Sequence, residues 1–170
     1  MTLTASYKLG ERIVSIRRGD TSAISEIYSF VGNAMLAAAY VYVGNYEDAE
    51  DVTQDALLVI VRKAAKYRTD KNAKAWINTI IRDLSKNKVK SRKRQRGNFA
   101  VAQQDLSSAP DVSEPAINRI LAVLSEREKQ FLIYRYWYKC SFTEMGEIFH
   151  RSKAYIYRTL IKLENKLKNL

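Results

Sequence analysis

A single cysteine, Cys140, leaves this chain without a disulfide framework and without a Cys-based metal cage. Only one histidine, His150, is present, and it has no second His and no acid at ligand spacing, so the residues give no metal site and no general base. Glycine and proline are scarce, at 6 and 2 in 170 residues, which disfavours turn-rich β structure and favours helices. No apolar run is long enough to cross a bilayer, and the segment "MTLTASYKLGERIVSIRRGD" lacks the apolar core of a secretory signal, so the expected location is the cytoplasm. A Gly-rich phosphate loop, a nucleophile elbow and an HExxH pair are missing too, so the sequence offers no enzyme and no cofactor.

What is present is charge, unevenly spread. The formal net charge is +11, yet no Lys or Arg occurs between Arg18 and Arg62. Within that gap "NYEDAEDVTQDALLVIV", 45–61, concentrates Glu47, Asp48, Glu50, Asp51 and Asp55. By contrast "RDLSKNKVKSRKRQR", 82–96, carries Arg82, Lys86, Lys88, Lys90, Arg92, Lys93, Arg94 and Arg96 against one Asp83. Segregation of this kind implies two partners of opposite character.

Helical spacing runs through residues 11–96. Ile24, Ile27, Tyr28, Val31, Met35, Ala38, Ala39 and Tyr42 mark one helix. Another begins after Asn45, a suitable N-cap, with acids in its first turn where the macrodipole favours them. A third starts near Ala73, with Trp76, Ile77, Ile80, Ile81 and Leu84 as its apolar stripe. Both prolines fall in a polar stretch without periodicity, which reads as a linker. The expected architecture is all-α: two small helical domains, 1–97 and 117–170, joined by a flexible linker at 98–116.

On a helical wheel of about 100° per residue, Ala49, Val52, Ala56, Val59 and Ile60 share the core face of the acidic helix. Glu47, Asp48, Glu50, Asp51, Gln54 and Asp55 share the other, with Leu58 near its middle. Two readings stand: a solvated face with one stray leucine, or a docking ridge for a basic partner that is not DNA. The next helix shows Asn78, Thr79, Arg82, Lys86 and Lys90 opposite Trp76, a phosphate-binding face or a solvated one. The loop "KYRTDKNAKAW", 66–76, mixes cations with Tyr67 and Trp76, a combination suited to single-stranded nucleic acid, although Trp76 belongs to the core stripe.

In the last third, Ser125 and Glu128, then Ser141 and Glu144, stand at capping-box spacing. Ser152 opens a further helix whose Ile156, Leu160, Leu163, Leu167 and Leu170 form an apolar stripe. A short helix, a tight turn and a longer helix make helix-turn-helix geometry, with Gly146 where the two helices cross. The last helix leaves Ala154, Tyr155, Tyr157, Arg158, Ile161, Lys162 and Asn165 outward. An αα-hairpin with no DNA role has the same local pattern. Cys140 is expected to be a buried small residue.

Together these segments resemble a known family. "YEDAEDVTQDALL" resembles the signature of the extracytoplasmic-function (ECF) group of sigma-70 factors, "AWINTIIRDLSKNKVKSRKR" the segment that follows it, and "LSEREKQFLIYRYWYKCSFTEMGEIFHRSKAYIYRTLIKLENKL" the second, helix-turn-helix domain. The resemblance implies an alternative sigma factor with no catalysis of its own. Its partners would be the RNA polymerase core (β′ and β subunits) and promoter DNA, and the linker would permit an anti-sigma factor to clamp both domains. It places core polymerase on Asp48, Glu50, Asp51, Gln54, Asp55 and Leu58. It places the −10 element on Tyr67, Arg68, Lys71, Arg82 and Lys86, and the −35 element on Arg151, Lys153, Tyr155, Tyr157, Arg158 and Lys162.

The sequence departs from the family pattern at Asp83, which stands for the usual Asn; at Ile81, Ala56 and His150; and at Tyr155 and Tyr157. His150 in place of the turn Gly implies a left-handed histidine or a different turn. The competing reading is a stand-alone helix-turn-helix regulator, phage-like, that binds a palindrome as a dimer without polymerase.

Overall fold

The computed structural model describes residues 5–100 and 116–169, and every regular element among them is helical. Helix α1 spans Ala5–Arg17, α2 Ala23–Val43, α3 Tyr46–Lys63 and α4 Ala73–Ala100, with a 3-10 turn at Ala64–Lys66. Beyond residue 115 come α5 (Ala116–Ala122), α6 (Glu126–Leu132), a π-helical turn (Ile133–Trp137), α7 (Phe142–Phe149) and α8 (Lys153–Lys168). Residues 101–115 of the expected linker, with Pro110 and Pro115, lie outside the described residues, as does Leu170. Residues 98–100 continue α4.

α2 is the central post of the first unit. It is apolar on most of its circumference, with Ile27, Val31, Ala34, Met35, Ala38, Ala39, Val41 and Val43 buried. Its alanines let α1, α3 and α4 come close. At its end Gly44 adopts φ 80°, where a side chain would be strained, and its amide bonds the Tyr40 carbonyl at 2.8 Å. The chain then reverses at once. Asn45 is extended and accepts the Asp48 amide at 2.8 Å, so α3 starts one residue after α2 is capped. α1 was not separately legible, yet Leu9, Ile13 and Ile16 bury its inner face. Ser6 reaches across to accept the Ala73 amide at 3.2 Å at the start of α4.

The second unit packs around Phe131, Met145, Ile156, Leu160 and Leu163. Phe131 stacks on Phe149 at 4.3 Å between ring centroids. Both expected capping boxes are formed, Ser125 with Glu128 and Ser141 with Glu144, and Ser152 caps α8 by accepting the Tyr155 amide at 3.2 Å. Gly146 sits where α7 meets the turn: a Cβ there would lie 2.8 Å from the Arg151 carbonyl. His150 is left-handed, φ 52° and ψ 50°, which is the first of the two possibilities its sequence position allowed.

The two units are packed together. The π-helical turn rests on α2. Ile133 and Tyr134 of that turn are both buried.

Candidate polymerase and nucleic-acid interfaces

The acidic helix keeps an open face. Glu47, Glu50, Asp51, Gln54 and Asp55 are exposed, and Leu58 is 60% exposed in their midst. The core side, Ala49, Val52, Ala56, Val59 and Ile60, is buried as the wheel requires. Asp48 differs from its expected place on that open face. Its side chain is only 17% exposed, and its carboxylate accepts Asn45 Nδ2 at 2.9 Å and Arg92 Nη1 at 2.8 Å, with Lys88 Nζ at 3.4 Å. Partial burial pushes this carboxyl up, but the Asn45 amide and the two cations outweigh it and hold it below the usual range. Lys88 also bonds Asp51 at 2.7 Å, and that bond raises the Lys88 pKa. The cations of α4 thus pair with Asp48 and with one side of Asp51, while Glu47, Glu50, Gln54, Asp55 and Leu58 face outward beside them.

On α4 the residues Lys74, Asn78, Arg82 and Lys86 recur every four positions and form one polar row. The second unit touches this row along its length. Lys74 Nζ lies 3.3 Å from Glu144 Oε1, with side-chain exposures of 6% and 18%. Asn78 Nδ2 donates to the Tyr134 hydroxyl at 3.2 Å, inside the molecule. Burial pushes the Tyr134 phenol up to about 12, against smaller opposing effects of the Asn78 bond and the Arg82 charge; Arg82 is half-buried and also pairs with Asp83 at 3.3 Å. Lys86 Nζ lies 2.7 Å from Glu126 Oε1, a more exposed pair. Lys74 was not among the expected site residues. The four-residue spacing that joins it to Asn78 is the signal that could have found it.

The loop before α4 corrects one expectation. Tyr67 is 4% exposed and is not a surface platform. Its ring meets Trp76 edge-on at 5.2 Å, its hydroxyl donates to the Lys71 carbonyl at 2.9 Å, and Gly10 of α1 leaves room for it, since a Cβ there would come within 2.7 Å of that hydroxyl. Tyr67 therefore shapes the loop from within. Arg68 and Lys71 are exposed, and Arg68 holds Asp70 through two bonds of 3.0 and 2.9 Å that lower the Asp70 pKa. Beyond the row, Lys90, Lys93, Arg94 and Arg96 stay exposed along α4.

Arg151, Lys153, Tyr155, Tyr157, Arg158 and Lys162 are all exposed on α8 or the turn before it. Ile156, Leu160 and Leu163 bury the other side. The Arg151 guanidinium sits 5.6 Å from the centre of the Tyr155 ring, and Tyr157 meets Phe142 edge-on at 5.7 Å, so both tyrosines are pre-positioned rather than free. Cys140 is buried, and burial pushes its thiol up to about 12. Among the described residues no three His, Cys, Asp or Glu side chains group as a metal site, and no helix is long and apolar enough to cross a membrane.

Comparison with known proteins places these features. Residues 28–95 match a family model described as Sigma-70 region 2. The chain is 20% identical to the ECF RNA polymerase sigma factor SigW of Bacillus subtilis (strain 168), over 94% of this chain and 97% of that protein. Its fold is similar to that of CnrH, solved in complex with the cytosolic domain of CnrY, with a TM-score of 0.65 at 17% identity over 98% of this chain and 96% of the other.

Proposed function

This chain belongs to the sigma-70 family as a factor of the ECF type, and from that premise we propose how its surfaces divide the work of transcription initiation. The outward face of α3, from Glu50 through Asp51, Gln54 and Asp55 to Leu58, docks on a basic helical surface of the polymerase core. The loop carrying Arg68 and Lys71, with Arg82 and Lys86 of α4, engages the −10 element. The face of α8, with Arg151, Lys153, Tyr155, Tyr157, Arg158 and Lys162, enters the major groove at the −35 element. The factor adds no catalytic group; the polymerase performs the chemistry, in the cytoplasm.

One observation carries this reading: an apolar residue, Leu58, stands 60% exposed at the centre of an acidic face on an otherwise cationic protein. Such a face repels phosphate and suits a basic protein partner, with a desolvated apolar anchor inside a charged rim. Arg158 and Lys162 have the complementary task of taking guanine edges and phosphates. A stand-alone regulator has no use for the ridge, and that reading is not favoured.

Pull-down of purified polymerase core by wild-type chain and by Asp51→Arg plus Leu58→Glu tests the assignment. The double variant is expected to lose core while keeping its helical content. Undiminished capture would remove the ridge from the polymerase contact.

A further inference from the structure

The basic end of α4 carries one acid where phosphate binding alone would want none. Between residues 82 and 96, Asp83 stands against eight Lys and Arg. Its side chain is 61% exposed, and it lies between Arg82 and Lys86, two of the cations proposed for the −10 element. A carboxylate there repels the backbone that its neighbours attract. Its pair with Arg82 does not account for it either, since an exposed ion pair adds little stability. We infer that Asp83 reads a base: it is a specificity-determining carboxylate that accepts the N4 amino group of a cytosine while Arg82 and Lys86 hold the strand. The inference rests on the assignment of α4 to the −10 element and names the base selected there.

The geometry leaves the carboxylate one acceptor to offer. Arg82 Nε and Nη2 both donate to a single oxygen, Asp83 Oδ1, at 3.3 Å each. That sets the carboxylate beside the guanidinium and leaves Oδ2 for a donor from outside. One acceptor oxygen suits one amino hydrogen. Cytosine supplies it, because its N4 has C5–H on one side, where no lone pair meets the carboxylate. Adenine N6 has an accepting ring nitrogen on both sides. Thymine O4 and guanine O6 are acceptors in the major groove and are repelled. An unpaired guanine would bond a carboxylate through N1–H and N2–H together, which needs both oxygens, and Arg82 holds one of them. The neighbours of Asp83 agree with this role. Thr79 and Asn87 are exposed one turn to either side, so groups able to accept from a base recur every four residues. The Thr79 hydroxyl gives its proton to the Ala75 carbonyl at 2.9 Å, so it too meets a ligand as an acceptor. Lys86 and Lys90 follow Asp83 at i+3 and i+7 and are exposed. Cations that position a strand thus run beside acceptors that specify it.

The test is core-dependent transcription by the full chain, on one promoter located by start-site mapping, with its −10 element randomised. Wild type is compared with Asp83→Asn and with Asp20→Asn, which makes the same chemical change at an exposed acid between α1 and α2. Circular dichroism is expected to be the same for all three. Wild type should favour cytosine over thymine and guanine roughly tenfold at one −10 position. Asp83→Asn should lose that preference, with adenine gaining most, because an amide accepts from N6 and donates to N7. Preferences at the other positions should stay, and Asp20→Asn should match wild type throughout. At the selected position, uracil for cytosine replaces the N4 amino group by a carbonyl oxygen. It should lower wild-type transcription roughly tenfold and leave Asp83→Asn nearly unchanged. The swap is made on a duplex template, with adenine as the new complement, and on a template premelted over the −10 element. An effect on both assigns the contact to the unpaired base, and an effect on the duplex alone assigns it to the major-groove edge. A wild type without a cytosine preference, or a preference that Asp83→Asn retains, would overturn the inference. Absence of core-dependent transcription by wild type would sink the sigma assignment and this inference with it. Transcription that Lys86→Ala weakens but whose base preferences Asp83→Asn leaves untouched would sink this inference alone.

Discussion

Lys74 Nζ and Glu144 Oε1 lie 3.3 Å apart although 70 residues separate them. Each belongs to a different helical unit, and each is also placed by local structure: Lys74 in the first turn of α4, Glu144 as the closing residue of a capping box. Their pairing ties the orientation of the second unit to the start of the helix proposed to meet the −10 strand. Breaking one side of a largely buried pair leaves an uncompensated charge, whereas replacing both sides removes the problem along with the attraction. Lys74→Met alone is therefore expected to destabilise the chain more than Lys74→Met combined with Glu144→Gln. Urea denaturation of the two singles and the double should give a coupling energy of about 1 kcal/mol or more. A coupling indistinguishable from zero would mean that the pair does not hold the units together.

The Asp48 cluster predicts an acid-side signature. The Asp48 carboxyl is held below its ordinary value of 3.8 by Asn45, Lys88 and Arg92. A depressed carboxyl contributes stability that is fully present above the ordinary value and is lost as pH falls through the lower, folded value. Wild type should thus exceed Asp48→Asn in stability at neutral pH, and the gap should close below about pH 4. Denaturation of both proteins across pH 2–7 checks this. A gap that stays constant with pH would place the effect of Asp48 in its cap bond alone.

Much of the local architecture was legible because its determinants are three or four residues apart. Asn45 with Asp48, Ser125 with Glu128 and Ser141 with Glu144 are caps that sequence spacing alone identifies. The exposure of Leu58 followed from the wheel for the same reason. What escaped depends on distant chain. Asp48 looks like any other acid of its helix until Arg92, 44 residues on, is folded against it. Tyr67 reads as a polar-loop aromatic until α1 supplies Gly10 beneath it. The π-helical turn at Ile133–Trp137 is announced by no period of 3.6. The docking of the second unit on Lys74 and Asn78 joins residues 56 to 70 positions apart, beyond the reach of any local pattern.

The turn of the helix-turn-helix carries two opposite predictions. At Gly146 the Arg151 carbonyl would stand 2.8 Å from an added Cβ. This is backbone, so relief requires the turn itself to shift. Gly146→Ala should destabilise the second unit by about 1–3 kcal/mol. His150, by contrast, occupies the left-handed region with a Cβ that is strained there. His150→Gly should be stabilising by up to about 1 kcal/mol, since glycine adopts this conformation without the Cβ penalty. Thermal melts of both variants decide the matter: two shifts of the same sign would contradict the geometry of the turn.

On the face of α8 proposed for the −35 element, positioning and readout should respond differently to substitution. Arg158 and Lys162 are exposed cations one turn apart. If they meet phosphates, Arg158→Ala or Lys162→Ala should weaken promoter binding by the polymerase-bound factor across all −35 sequences, and each should lower the salt slope by about 1. Tyr155 acts through Arg151, whose guanidinium lies over its ring. Tyr155→Ala frees Arg151, so the loss should depend on the base at one position rather than be uniform. Tyr157 leans on Phe142 of α7 and so ties the outer face of α8 to the helix beneath it. Start-site mapping on one responsive promoter, followed by a library of −35 variants tested with each mutant, measures both effects together. A sequence-independent loss for Tyr155→Ala, with an unchanged salt slope for Arg158→Ala, would reverse the roles assigned here and place base readout on the arginine.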